Sequence, residues 1–160
     1  MQINEDQMRI EKVIDENIKS EIAKDVLDQL PEWFGNEEAK KDYIIKVRST
    51  EMWKAVNGEE IIGFISIKIH HEFTGDIYVF GIKKDYHHKG IGKQLLNTAE
   101  TYVKGLGCKR IIVKTLSDTV NYQPYLDTLK FYLANNYERL ITFTEFWDSE
   151  NPCLMLMKIF

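Results

Sequence analysis

The segment from Asp76 to Glu100 constrains the fold of this chain more than any other part of its sequence. Aliphatic and aromatic residues alternate over Ile77–Phe80, as in a strand whose two faces meet different surroundings. A basic turn with two glycines, Gly90 and Gly92, comes next. The apolar residues that follow recur with a helical period: Ile91, Leu95, Leu96, Ala99, Tyr102, Val103 and Leu106. The segment therefore predicts a strand, a short turn and an amphipathic helix in immediate succession.

The turn has the properties of an anion-binding loop. A helix start leaves backbone N–H groups without intrahelical acceptors, and the helix dipole adds partial positive charge there. Gly90 and Gly92 have no Cβ, so a ligand can approach this backbone closely. Four lysines outnumber the single Asp85 in the same stretch: Lys83, Lys84, Lys89 and Lys93. We therefore expect a ligand that carries phosphate groups.

Two common phosphate-binding motifs do not fit this turn. A dinucleotide-binding fingerprint requires a third glycine where the chain has Leu95. A Walker loop requires glycine at His87 and serine or threonine at Gln94. Nucleotide phosphotransfer is therefore disfavoured, and robust ATP binding would revive it.

The residues HHKGIG, His87 to Gly92, resemble the acetyl-CoA signature Gln/Arg-x-x-Gly-x-Gly/Ala of the GNAT superfamily of N-acetyltransferases. In that family the signature follows a bulged fourth strand and opens the third helix. A second element, LKFYLANNY at Leu129–Tyr137, resembles the family helix that ends in Phe-Tyr-x-x-x-Gly-Phe. The resemblance covers roughly residues 61–137. It implies an α+β fold in three α/β/α layers, with a mixed, mostly antiparallel sheet of about seven strands flanked by about four helices.

The chain departs from the family pattern at four positions, one of which is Tyr137 in place of the phenylalanine that follows the helix. His87 replaces the usual glutamine or arginine and puts one side-chain contact with the cofactor in doubt. Asn136 replaces the helix-ending glycine, which is a mild change because asparagine tolerates the left-handed conformation. Tyr125 stands where many relatives carry an asparagine that contacts the cofactor, so that contact is not carried over.

The resemblance implies acetyl-CoA as co-substrate and a set of contacts to it. The diphosphate would lie on a cradle formed by His87, His88, Lys89, Gly90, Ile91, Gly92 and Lys93. The end of the fourth strand, with Phe80, Gly81 and Ile82, would contact the acetyl and pantetheine groups, and Gly81 is a candidate for a bulge.

The resemblance also implies the acid and the base of an acetyl transfer. Tyr132 occupies the usual general-acid position. Asp76 aligns with a carboxylate that acts as general base in some relatives, and Glu72 or a water chain is an alternative. A solvated turn carboxylate is the competing interpretation of Asp76. Neither cysteine lies in a nucleophile motif, so direct transfer in a ternary complex is expected.

A non-catalytic acyl-CoA-binding or regulatory module is the rival to an N-acetyltransferase, because the cradle binds cofactor whether or not acid and base are present. The acceptor would be an amine on a small molecule, a peptide or a protein. Residues 1–42 hold 12 acidic and six basic side chains. This acidity mildly favours cationic amines as acceptors and disfavours nucleic acid as a partner. A homodimer is compatible with the sequence.

The whole chain is consistent with one domain over residues 1–160, since 160 residues with 44% apolar content can bury a single core. No run approaches the roughly 20 apolar residues of a membrane span, and the first ten residues do not resemble a secretory signal. We therefore expect a cytoplasmic protein without a membrane partner. Cys108 and Cys153 have no metal-like spacing, so buried thiols and no metal site are expected.

Periodicity and turn residues predict eleven elements. The predicted strands are Met8–Ile14, Met52–Val56, Ile61–His71, Ile77–Ile82, Arg110–Thr115, Tyr137–Phe146 and Cys153–Ile159. The predicted helices are Ile18–Leu30, Glu37–Arg48, Gly90–Gly105 and Tyr125–Asn135. The isoleucine-rich alternation in Ile61–His71 makes it the strongest strand prediction.

Overall fold

A computed structural model describes residues 7–160 and contains all eleven predicted elements within that range. The strands are β1 (Met8–Val13), β2 (Glu51–Asn57), β3 (Glu60–His70), β4 (Thr74–Ile82), β5 (Arg110–Leu116), β6 (Glu138–Asp148) and β7 (Asn151–Ile159). The helices are α1 (Glu16–Leu27), α2 (Glu37–Lys46), α3 (Ile91–Gly105) and α4 (Gln123–Ala134).

The strands form a seven-stranded sheet in the order β1-β2-β3-β4-β5-β7-β6. β4 and β5 pair in parallel, whereas β1 with β2, β2 with β3, β5 with β7 and β6 with β7 pair antiparallel. A mostly antiparallel sheet with four helices is the α+β fold that the sequence predicted.

Local side-chain chemistry explains the main shifts in element boundaries. The Asp15 side chain accepts a hydrogen bond from the Ile18 amide at 3.0 Å, so α1 begins at Glu16, earlier than periodicity predicted. β4 begins at Thr74, three residues before the predicted start, because pairing with β5 already starts there. β3 is buried on both faces from Ile62 to Ile67 and therefore does not divide into one apolar and one exposed face.

The described residues divide into two compact units. One comprises the described residues up to Lys68 together with Tyr78–Tyr102, and the other comprises Ile69–Ile77 with Val103–Phe160. In the first unit, side chains of α1 pack with residues of β2, β3 and β4 in a buried core. In the second unit, β5 pairs with β4 and β7, and α4 precedes β6. The single domain expected from chain length stays a prediction.

Candidate active site

The loop between β4 and α3 is anchored by a buried tyrosine. Tyr86 ends a short 3₁₀ turn, Lys84–Tyr86, and its hydroxyl donates a hydrogen bond to Glu60 Oε2 at 2.8 Å. The carboxylate and the burial of the ring both raise the pKa of the Tyr86 phenol, so the donor proton is retained. This bond fixes the start of the loop to the first residue of β3.

The loop backbone has the conformation expected of an anion cradle. His88 and Gly90 adopt left-handed φ angles of 59° and 81°. A Cβ added at Gly90 would meet no atom within 4 Å, so open space lies beside this backbone. The Gln94 amide donates to the Gly90 carbonyl at 3.2 Å and closes the first helical turn. The amides of Ile91–Lys93 precede that bond, which is the arrangement that binds phosphate at helix starts.

The side chain of His87 is engaged by the protein itself. Its Nε2 lies 2.6 Å from the carbonyl oxygen of Ile82, and this geometry requires Nε2 to carry the hydrogen. The ring also meets Trp33 edge-on, with centroids 5.5 Å apart. His87 therefore supports the loop through its imidazole, and its Nε2 is engaged by a bond within the chain.

Two of the four lysines expected to attract phosphate are already paired, which corrects the sequence interpretation. Lys83 is buried, with its Nζ 2.8 Å from Asp25 Oδ2, and Lys84 forms an ion pair with Glu32. Both acidic partners are far from the lysines in sequence, so charge counting within the loop could not detect them. Lys89 and Lys93 are exposed, and no ion pair within residues 7–160 engages either one. The loop's available positive charge is therefore smaller than predicted.

The second half of β4 is shaped by close packing. A Cβ at Gly81 would lie 3.0 Å from Leu30 Cδ1 and 3.3 Å from Val26 Cγ1, so glycine allows α1 to pack tightly here. A neighbouring serine that the sequence did not single out joins the pairing. The Ser66 hydroxyl accepts from the Val79 amide at 3.0 Å and lies 3.2 Å from the Val79 carbonyl oxygen. A side chain thus takes part in strand pairing directly before Phe80.

Parallel pairing of β4 with β5 covers only the start of β4. The register runs from Thr74 opposite Arg110 to Ile77 opposite Val113, whereas β4 continues to Ile82. The residues predicted to contact the acyl and pantetheine groups are Phe80 and Ile82. Both follow Ile77, the last residue of β4 that pairs with β5, and both are half-buried.

Asp76 is buried within β4, so its interpretation as a solvated turn carboxylate is wrong. Asp76 Oδ2 lies 2.8 Å from His70 Nε2 and 3.3 Å from Lys114 Nζ. Sequence reasoning missed both partners. The short hairpin between β3 and β4 is the one sequence signal that could have placed His70 near Asp76. Glu72, the alternative base, lies exposed in that hairpin turn with a φ of 71°.

Tyr132 is a buried residue of α4, 4% exposed. Its ring centroid lies 5.4 Å from that of Phe131 and 5.4 Å from that of Tyr137. Burial, reinforced by Tyr125, raises the pKa of the Tyr132 phenol well above its usual value. The hydroxyl is therefore protonated at neutral pH.

The helix end beside Tyr132 confirms the expectation for Asn136. This residue adopts a left-handed φ of 70° directly after α4. The Tyr137 amide then donates to the Tyr132 carbonyl at 3.1 Å, which closes the helix in the manner usually supplied by glycine. Asparagine thus preserves the helix end despite the departure from the family pattern.

Cys108 and Cys153 are buried free thiols, and burial raises the pKa of each. Within the part of the chain that the structure describes, no group of three histidine, cysteine or acidic side chains is arranged to hold a metal ion. None of the helices in residues 7–160 is both long and apolar enough to cross a bilayer.

The family model for the acetyltransferase (GNAT) family matches residues 19–132, which include the loop, Asp76 and Tyr132. This chain belongs to the GNAT acetyltransferase family. Among curated relatives, the mycothiol acetyltransferase of Corynebacterium efficiens is 27% identical over 90 residues, 56% of this chain and 30% of that protein. The chain thus spans under a third of the length of the curated relatives that it matches.

Solved GNAT structures share the fold at low sequence identity. A GNAT-family protein from Desulfovibrio desulfuricans has a TM-score of 0.80 at 12% identity, with 95% of this chain and 98% of that chain covered. PaiA N-acetyltransferase from Thermoplasma acidophilum, solved with coenzyme A, has a TM-score of 0.71 at 20% identity, with 95% and 99% covered. These similarities establish a GNAT fold, and the second shows that such a protein binds coenzyme A.

Proposed function

We propose that this GNAT protein is an acetyl-CoA-dependent N-acetyltransferase that moves the acetyl group directly to a primary amine. The observation that carries the proposal is the backbone of His87–Lys93. Two left-handed residues and open space at Gly90 adjoin the helix-start amides. This arrangement resembles the backbone cradles that bind phosphate at helix starts and supports binding of a diphosphate.

The cofactor contacts follow from that cradle. The amides at the start of α3 would bind the diphosphate, and Lys89 and Lys93 would add positive charge at its edge. The backbone of Phe80 and Ile82 would position the acyl and pantetheine groups, with a strand amide donating to the thioester oxygen as it gains charge. The bound cofactor supplies the activated acyl group, and the protein supplies position and proton transfer.

Proton transfer is assigned to two residues. A protonated alkyl amine must lose a proton before it can attack, at a cost of roughly 4 to 5 kcal/mol at neutral pH. We assign acceptance of that proton to Asp76 together with the side chains bonded to its carboxylate. Tyr132, whose phenol is protonated at neutral pH, is assigned the donation of a proton to the departing thiolate.

The test combines cofactor binding with an acceptor screen. Calorimetry should show saturable binding of acetyl-CoA, and an assay for free thiol should show release from acetyl-CoA with at least one amine. The panel contains a polyamine, an aminoglycoside, free amino acids, and peptides with a free amino terminus or lysine. Cofactor binding without thiol release for any amine would favour the non-catalytic module, and absence of both would contradict the proposal.

A further inference from the structure

The buried carboxylate of Asp76 is enclosed by two partners that meet at one of its oxygen atoms. His70 Nε2 lies 2.8 Å from Asp76 Oδ2, and Lys114 Nζ lies 3.3 Å from the same atom. The Asp76 side chain is 6% exposed, whereas that of His70 is 45% exposed. The imidazole is therefore the member of this cluster that is most accessible from solution.

The bond to Asp76 determines which nitrogen of His70 can act as a base. An ionised carboxylate only accepts hydrogen bonds, so Nε2 of His70 must carry a hydrogen. In the neutral imidazole, the lone pair then lies on Nδ1. Within residues 7–160, the hydrogen bond of His70 to another side chain is the one at Nε2. His70 therefore presents a basic nitrogen on a side chain that is nearly half exposed.

Asp76 is less suited to take a proton from an amine itself. Its side chain is only 6% exposed, which leaves an acceptor amine little access, and the Lys114 ammonium already lies against this carboxylate. The geometry instead suits an orienting role, in which Asp76 holds the ring and its tautomer in place. The Asp76 carboxylate attracts a charged imidazole and the Lys114 ammonium repels it, so the two charges oppose each other at the ring.

We infer that His70 is the general base of the proposed transfer, and that Asp76 and Lys114 are positioning residues. The inference rests on the proposed function and assigns proton acceptance to one atom, Nδ1 of His70. His70 first takes a proton from the ammonium form of the acceptor onto Nδ1, the resulting neutral nitrogen bonds to the acetyl carbon, and that nitrogen then releases one further proton to solvent. The carbon–sulfur bond breaks, and the thiolate takes a proton from Tyr132. Proton exchange with solvent then returns His70 and Tyr132 to their starting states.

Charged groups near His70 also bear on how kcat/KM depends on pH. Asp76 lies on the part of β4 that pairs with β5, Arg110 and Lys114 lie on β5, and His71 and Glu72 lie in the hairpin turn. Arg110 donates to Thr74 Oγ1 at 3.2 Å. Among His70 and these neighbours, His70 and His71 are the side chains whose type changes charge between about pH 5 and 8. A matched His71 variant therefore separates their contributions.

The experiment compares His70→Gln with His71→Asn in the full chain. Glutamine can still donate to Asp76 but cannot accept a proton near neutral pH, and asparagine tolerates the left-handed φ of 52° at position 71. With acetyl-CoA and the best amine of the panel, H70Q is expected to lower kcat about 100-fold and to abolish the rise in kcat/KM between about pH 5 and 8. Acetyl-CoA affinity should stay within about twofold, and H71N should match the wild type.

A second measurement does not depend on turnover. Nitrogen-15 spectra of the histidine rings should show hydrogen on Nε2 and none on Nδ1 in neutral His70. The inference is overturned if the wild type is active and H70Q keeps both the wild-type turnover and the rise in kcat/KM between about pH 5 and 8. It is also overturned if neutral His70 carries its hydrogen on Nδ1. If the wild-type protein binds acetyl-CoA but transfers the acetyl group to no amine, the proposed function is overturned, and the inference with it. In that case the ring spectra still show which nitrogen of His70 carries the hydrogen.

Discussion

Gly90→Glu is expected to weaken acetyl-CoA binding by at least about 100-fold, equivalent to about 2.8 kcal/mol. Gly90 has a φ of 81°, which costs a residue with a Cβ about 1–2 kcal/mol. A carboxylate beside a diphosphate adds repulsion of about 4 kcal/mol at 4 Å separation and an effective dielectric of 20. The repulsion alone exceeds the predicted loss even if side-chain motion relieves part of it, whereas the backbone strain lowers the stability of the fold. Calorimetric titration with acetyl-CoA measures the effect.

Gly107→Glu is the matched control for this substitution. Gly107 has a φ of 86°, and a Cβ there would also meet no atom within 4 Å. It follows the C-terminal end of α3, whereas Gly90 precedes the start of the same helix. The two variants therefore share backbone strain and charge change, and only the first alters the cradle. Equal losses of affinity in both variants would show that strain or net charge, and not the cradle, controls binding.

Tyr132→Phe is expected to lower kcat about 100-fold while the Kd for acetyl-CoA changes less than about threefold. The substitution removes the buried hydroxyl but keeps the ring that packs against Phe131 and Tyr137. Since burial raises the pKa of the phenol, the wild-type residue holds its proton up to and beyond the ordinary tyrosine value of about 10. Loss of this acid should therefore not cause a decline in wild-type kcat below about pH 10. Steady-state kinetics between pH 6 and 9.5 measure both effects.

Tyr137→Phe serves as the control for Tyr132→Phe. Tyr137 is 2% exposed, and its ring lies next to that of Tyr132. Removal of its hydroxyl should leave kcat within about twofold of the wild type. If Tyr132→Phe retains full turnover, or if both variants lose turnover equally, Tyr132 is not the specific proton donor.

Most of the fold was predictable because local patterns and tertiary packing agree. The periodic residues of α3 include Leu95, Leu96 and Ala99, which are all buried, and the helix begins one residue after its predicted start. Boundaries were less predictable where side-chain caps or distant pairing decide them. Asp15 sets the start of α1 by a cap, and Arg110 extends β4 backward through a pairing 36 residues away in sequence.

The sequence predicted the parts of the site that depend on backbone conformation. It did not predict the parts that depend on contacts between residues far apart in the chain. The glycines and the left-handed Asn136 are local features, so the sequence located the loop and the end of α4. The neutralisation of Lys83 by Asp25, and the bond of Lys114 to Asp76, join residues far apart in the chain. Burial of Asp76 within β4 is likewise a property of the tertiary structure, and a single turn motif could not predict it.

Amide spectra recorded during a titration with coenzyme A test the central claim most directly. The account predicts saturable shifts and slowed hydrogen exchange concentrated at the amides of residues 87–93, with Gly90 and Gly92 among them. Binding that leaves these amides unchanged, or the absence of any saturable binding, would contradict the claim that this loop holds the coenzyme diphosphate.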